Sequence, residues 1–207
     1  LMFRLYRMVG RRELGDERPF SSLRRAVEHE ALVALAARDA GIRTPRLAAF
    51  ASADPNAFVL AYEAVDGKSL DRVDEADVTD AVLGAVWDQV VLMRSCRIAH
   101  RDMRLANIFL AADGNVWMID FGFSELAASD LLLANDVAEF TASSSLKVGS
   151  ERAVAAATAA LGPAGVATAL DRLRPWALSG ATRTGLKQNP ALLDDVRARI
   201  TAVASAR

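Results

Sequence analysis

Apolar residues recur at helical spacing along most of this chain, with short extended runs set in near residues 47–64 and 108–119. Leu1, Leu5, Met8 and Val9 begin the helical pattern, with arginines between them. Residues 10–19 are charged, hold Gly15 and Pro19, and predict a loop. A helix is expected from a cap at Ser21 or Ser22 through Ala40, with Gly41 ending it. Val27, Ala31, Val33, Leu35 and Ala36 give it an apolar stripe, and Glu28, His29 and Glu30 lie near its middle. Strands are expected over 47–50 and 58–64, joined by a turn over 51–56. Residues 66–77 are acidic and loop-like, with one helical turn expected at 69–73. Helices follow over 78–97, 126–140, 150–161, 164–174, 176–186 and 192–203, punctuated by Gly162-Pro163 and Pro175. The alanine-rich stretch 153–160 follows from helix propensity alone. The order is helix, short strands, helix, hairpin and helical remainder, which is α+β with helices predominating.

One stretch departs from the periodicity and carries chemistry. Residues 100–107 read His-Arg-Asp-Met-Arg-Leu-Ala-Asn, entered through Ile98-Ala99 and left through Ile108-Phe109-Leu110. Asp113-Gly114 is a hairpin signal, Val116-Trp117-Met118-Ile119 is a second apolar run, and residues 120–122 read Asp-Phe-Gly. A hairpin brings the approach to its first strand beside the end of its second, so Asp102, Asn107 and Asp120 should converge. Phosphoryl transfer needs one carboxylate facing the attacking hydroxyl and oxygen ligands for magnesium on the phosphates. Asp102 would be the base or orienting group, and Asn107 and Asp120 would hold the metal. Taken singly, these are a turn aspartate, a loop amide and a strand-ending turn; their joint spacing lifts them above that. His100 and Phe121 are expected to pack.

Composition narrows the setting. The 207 residues make one domain, or one large lobe with the remnant of a second, and 52% apolar content suffices for a core. A net charge of -1 gives no reason to propose a nucleic-acid partner. Basic residues are overwhelmingly Arg; Lys68, Lys147 and Lys187 are the only lysines. The single cysteine, Cys96, excludes an intrachain disulfide and is expected as a small buried residue of an apolar helix. Two distant histidines argue against a zinc site. No run approaches the roughly 18–20 apolar residues of a membrane span, and the arginine-studded start lacks a signal peptide's apolar run. A reducing cytoplasmic location is the default. Leu1 is not an initiator methionine, so a fragment is expected.

The 100–107 and 120–122 motifs are the catalytic-loop signature of protein kinases. Over most of its length the chain resembles the protein-kinase-like superfamily, nearest to its small atypical branches, the Bud32 and Rio kinases and the aminoglycoside phosphotransferases. Glu28-His29-Glu30-Ala31-Leu32, followed by residues 40–45, resembles their αC helix and its exit. The resemblance implies that Glu30 is the αC glutamate, with Glu28 as the alternative. Residues 62–70, Tyr-Glu-Ala-Val-Asp-Gly-Lys-Ser-Leu, resemble the hinge between lobes, whose backbone binds adenine. By position Glu63 and Val65 would face the adenine, and Tyr62 would be the gatekeeper. Asp136 resembles the αF aspartate that braces the catalytic loop. Arg104 stands where many kinases carry a lysine near the transferred phosphate; its fork suits phosphate oxygens. The implied fold is kinase-like, with a truncated N-lobe over residues 1–65 and a small, mainly helical C-lobe over 66–207. The implied activity is transfer of the ATP γ-phosphate, with Mg2+, to a hydroxyl acceptor: a small molecule, lipid head group or protein.

Departures from the pattern set a rival reading. No glycine-rich loop and no lysine precede Glu30. Truncation and natural loss both account for that, and the non-Met start favours truncation. There is no Ala-Pro-Glu, and little chain separates Gly122 from Asp136, so neither a long phosphorylated loop nor a peptide groove is expected. Arg101 is then expected to lack the phosphorylated partner it meets in regulated kinases. The alternative is a pseudokinase or regulatory module. Residues 121–144 and 175–183 are also similar to kinase-like domains fused to bacterial membrane proteins of the flippase or lysylphosphatidylglycerol-synthase type. That similarity implies a flanking membrane region and a place on the cytoplasmic face of a membrane.

Overall fold

The computed structural model describes residues 23–53 and 57–206. The expected helix over 1–9, the loop over 10–19, the Ser21 or Ser22 cap and the tip of the 51–56 turn lie outside them. Helix α1, Leu23–Asp39, buries Ala26, Ala31, Val33, Ala34 and Ala37. It stops at Gly41, whose φ of +86° suits glycine. Ile42 N donates to Ala37 O and Gly41 N to Arg38 O, both at 3.0 Å, closing the two carbonyl-satisfying bonds of a Schellman cap.

Strands β1 (Leu47–Ala53) and β2 (Ala57–Tyr62) pair antiparallel, with Phe50 opposite Leu60. β1 therefore runs through part of the expected turn. A second antiparallel sheet joins β3 (Gly67–Ser69), β4 (Ile108–Ala111) and β5 (Val116–Met118). β3 was not foreseen: its three residues carry no periodicity and are extended because they pair with 109–111 of β4. Its first residue must be glycine, since a Cβ on Gly67 would lie 2.3 Å from Leu110 O. The β4–β5 hairpin turns through Gly114 at φ +82°, where Asp113-Gly114 predicted it.

Helix α2, Asp80–Ser95, is capped by Thr79 Oγ1, which accepts from Val82 N at 3.3 Å. Cys96 follows its last turn and is exposed, correcting the expected burial: the helix ends one residue before it. Helix α3, Asp130–Val148, is the central buried helix. It starts later than expected because Ser129 caps it, and it runs eight residues past the expected end at Phe140. The Ser143-Ser144-Ser145 run hid that extension. Each hydroxyl donates back to a carbonyl three or four residues earlier, such as Ser144 Oγ to Phe140 O at 2.6 Å, so the serines stay helical. The Phe140 ring packs at a 58° tilt against that of Trp87 of α2, centroids 4.9 Å apart, both fully buried. Truncating Phe140 to Ala would cost about 3–5 kcal/mol.

Helix α4, Ser150–Ala167, is kinked at Gly162 (φ 69°), where Gly162-Pro163 predicted a stop, and the second part ends before Thr168 rather than at 174. Residues 175–177 form a single 3-10 turn, and α5, Gly180–Gln188, begins only after the Ser179 cap, later than the expected 176. Helix α6, Leu192–Ser205, packs Val196 and Ile200 into the core. No helix among the described residues is long and apolar enough to cross a membrane.

Candidate active site

The loop at residues 100–107 is held from behind. Asp136 on α3 is buried and accepts the backbone N–H groups of His100 and Arg101, each at 2.6 Å. Burial pushes its carboxyl up to about 7, against the pull of these two donors. The brace holds Arg101 at a φ of +65°, uncommon for a residue with a Cβ. His100 is fully buried; its Nε2 donates to Ile119 O at 2.9 Å, and its ring lies 4.9 Å from that of Phe121. Burial pushes the imidazole pKa down, so the ring is neutral. His100 and Phe121 are thus packing residues that tie the loop to the Asp-Phe-Gly turn.

Asp102 and Asn107 are in direct contact. Asn107 Nδ2 donates to the Asp102 backbone O at 2.9 Å and to its Oδ2 at 3.0 Å. Arg104 Nε donates to the same Oδ2 at 3.1 Å. Both donors serve one oxygen; Asp102 Oδ1 has no hydrogen-bond partner among the described residues. The Asn107 amide so oriented turns its own Oδ1 away from Asp102. Asn107 O accepts Ile119 N at 3.0 Å, which carries the end of β5 to the loop and sets Asp120 beside it. Asp120 sits at φ 65°, ψ 67°, a left-handed conformation costing an aspartate about 1 kcal/mol or more. A Cβ on Gly122 would lie 3.2 Å from Glu30 Oε2 and 3.3 Å from Asp120 Oδ1, so these two carboxylates flank the glycine.

Of the two candidate helix glutamates, Glu30 faces this turn, whereas Glu28 pairs with Arg24 at 2.7 Å on the exposed side. The Tyr62 phenol is pushed up to about 12, by burial first and then by the nearby charges of Glu30 and Asp120. A cavity of about 290 Å³ opens here, lined by Thr44, Tyr62, Glu63, Val65, Phe109 and Asp120 among others. Glu63 N is taken by Arg46 O at 2.9 Å. The Glu63 carbonyl and the Val65 N–H have no partner among the described residues. That leaves one acceptor and one donor two residues apart on backbone that lines the cavity. The Glu63 side chain points outward to Arg46, whose hydrogen bond lowers its pKa. The oxygens of Asn107 and Asp120 are the hard donors that Mg2+ prefers.

Sequence reasoning missed several contacts. The Arg101 guanidinium lies 3.5 Å from Glu125, a carboxylate that the sequence reading did not pair with it. His29 Nε2 donates to Ser124 O at 2.8 Å, docking α1 on the segment after the Asp-Phe-Gly turn. Thr44 lines the cavity. Only the position of His29 inside the Glu-His-Glu triplet gave a local signal.

Residues 6–139 match the family model described as RIO domain. An uncharacterized protein of Dictyostelium discoideum is 31% identical over 68 residues, 33% of this chain and 7% of its own length. The dual specificity protein kinase shkE of the same organism is 39% identical over 56 residues, 27% of this chain and 7% of its own. The chain thus spans about 7% of the length of each of these relatives.

Proposed function

Because the chain belongs to the RIO domain family, whose fold is kinase-like, we propose that it transfers the γ-phosphate of ATP to a hydroxyl acceptor. Residues 1–65 act as a partial N-lobe and 66–207 as the C-lobe. The observation that carries this reading is the asymmetric Asp102 carboxylate: Oδ2 is fixed by Asn107 and Arg104, and Oδ1 is left open. An oxygen so presented can orient the acceptor hydroxyl or take its proton. Glu63 O and Val65 N would bind the adenine edge. Asn107 Oδ1 and Asp120 would hold Mg2+, which when bound neutralises charge on the phosphates. Arg104, whose amino groups have no partner among the described residues, would meet negative charge building on the phosphoryl group. Asp102→Asn tests this directly: phosphate transfer should fall by about two to four orders of magnitude with the melting temperature kept. Unchanged transfer would remove Asp102 from the proposed role.

One observation favours a second reading, a nucleotide-binding regulatory module without turnover. The Tyr62 phenol stands beside the Glu30 carboxylate, whose charge helps to raise the phenol's pKa, so a tyrosine occupies the surroundings of the glutamate. Titrating the chain with Mg-ATP and assaying turnover separates the two, since the module binds without consuming ATP.

A further inference from the structure

A second cavity, of about 260 Å³, lies on another side of the catalytic loop and shares no lining residue with the one at Tyr62. Arg104, Leu105 and Ala106 form its loop wall, Leu146 and Lys147 come from the end of α3, and Thr182 comes from α5. Its lining carries two cations, Arg104 and Lys147, and one acid, Asp71; Asp102 lies behind Arg104 and pairs with its Nε. Both cations are positioned yet under-used. Arg104 spends only Nε on Asp102, and Lys147 Nζ makes one long bond of 3.4 Å to the Asp71 backbone carbonyl. Leu105, Ala106, Leu146 and Ala181 supply an apolar part of the lining, beside the hydroxyl residues Ser143 and Thr182. The base is stiff, because the buried Glu139 carboxylate accepts Ser179 N at 2.7 Å and Thr182 Oγ1 at 2.6 Å. Shifting α5 would leave that charge unpaired.

We propose that this cavity is the acceptor site, and that the acceptor is a small hydroxyl-bearing acid, a carboxylate or a phosphate monoester. Its anionic group is held between Lys147 and Arg104, and its carbon skeleton lies on the leucines. This rests on the phosphotransferase reading and narrows it. The Arg104 bond to Asp102 Oδ2 places the cavity wall one side chain from the proposed base. The acceptor oxygen bonds the γ-phosphorus, the β–γ bridging bond breaks with its electron pair leaving on ADP, and the hydroxyl proton passes to Asp102. A cavity this small suits a metabolite rather than an extended peptide.

The test uses the 207-residue chain without nucleotide. Isotope-labelled protein is titrated with inorganic phosphate, with acetate and with glycerol, and amide shifts are followed. At least one of the two anions should shift residues 104–106 and 146–147 saturably, and glycerol should not. The tighter anion names the acid. Lys147→Gln and Arg104→Gln should each weaken that binding about tenfold, the worth of one charge-assisted contact. Anion shifts confined to residues 119–122, or affinity untouched by Lys147→Gln, overturn the proposal. The titration is independent of turnover, so a negative titration, with phosphate transfer found in the separate Asp102→Asn assay, removes the acid site alone. Anion binding here by a chain without phosphate transfer overturns the acceptor role together with the transferase reading.

Discussion

The Tyr62 phenol is held protonated beside the Glu30 carboxylate at the edge of the cavity it lines, and Asp120 adds a second negative charge nearby. Both carboxylates resist formation of a phenolate between them. A folded pKa of about 12 against an ordinary 10 means that the folded protein holds this proton more tightly than the unfolded chain. The resulting stabilisation is complete below pH 10 and fades as pH rises through 12. Ultraviolet absorbance titration should show one tyrosine ionising late, and Tyr62→Phe should abolish that step.

Asp120→Asn should keep the fold, because asparagine tolerates the left-handed backbone as well as aspartate does. It loses a charged oxygen, so the Mg2+ concentration for half-maximal activity should rise about tenfold or more. Steady-state assays across a magnesium series, with circular dichroism as the fold control, check this. An unchanged magnesium profile would remove Asp120 from the metal site.

Asp136→Ala leaves two buried N–H groups without an acceptor and should cost about 2–4 kcal/mol in denaturant unfolding. Its pH behaviour has a definite sign. A carboxyl raised from 3.8 to about 7 favours folding most below pH 4, and that contribution is lost as pH climbs through 7. His100, with its pKa lowered, acts in the opposite direction. Comparing the native chain with Asp136→Asn, which keeps His100, isolates the carboxyl: the variant should lack the decline between pH 4 and 7.

Gly67→Ala places a methyl group 2.3 Å from Leu110 O, where only backbone can yield. We expect about 1–3 kcal/mol of destabilisation. Because β3 continues directly from the hinge, Mg-ATP binding should weaken with it. Calorimetric melting and nucleotide titration on the same sample test both.

The catalytic loop, the hairpin and Asp120 were legible because their signals are local. Fixed spacings and one Asp-Gly turn determine who meets whom across a two-stranded reversal. Glu30 was separable from Glu28 only by the direction in which α1 docks, which one helix pattern does not reveal. β3 was invisible because Gly67-Lys68-Ser69 is a strand only through its neighbour. The far half of α3 was misjudged because serines oppose helix in isolation, yet here bond back to carbonyls inside the core. Glu125 gave no signal, since its meeting with Arg101 depends on the Ala99–Glu125 bridge that closes the loop.

The two sheets are joined by chain but not by a shared ladder. Asp102 and Asn107 answer to α3 through Asp136, whereas Glu30 and Tyr62 belong to α1 and the β1–β2 pair. His29, reaching Ser124 O, is one tether between these groups, and Arg43 is another: its N–H donates to Gln89 Oε1 and its carbonyl accepts Met118 N, both at 2.8 Å. Val33, Ala34 and Ala37 of α1 also share one apolar core with Trp87, Phe121 and Phe140, so a substitution in that core is felt on both sides of the cavity at once.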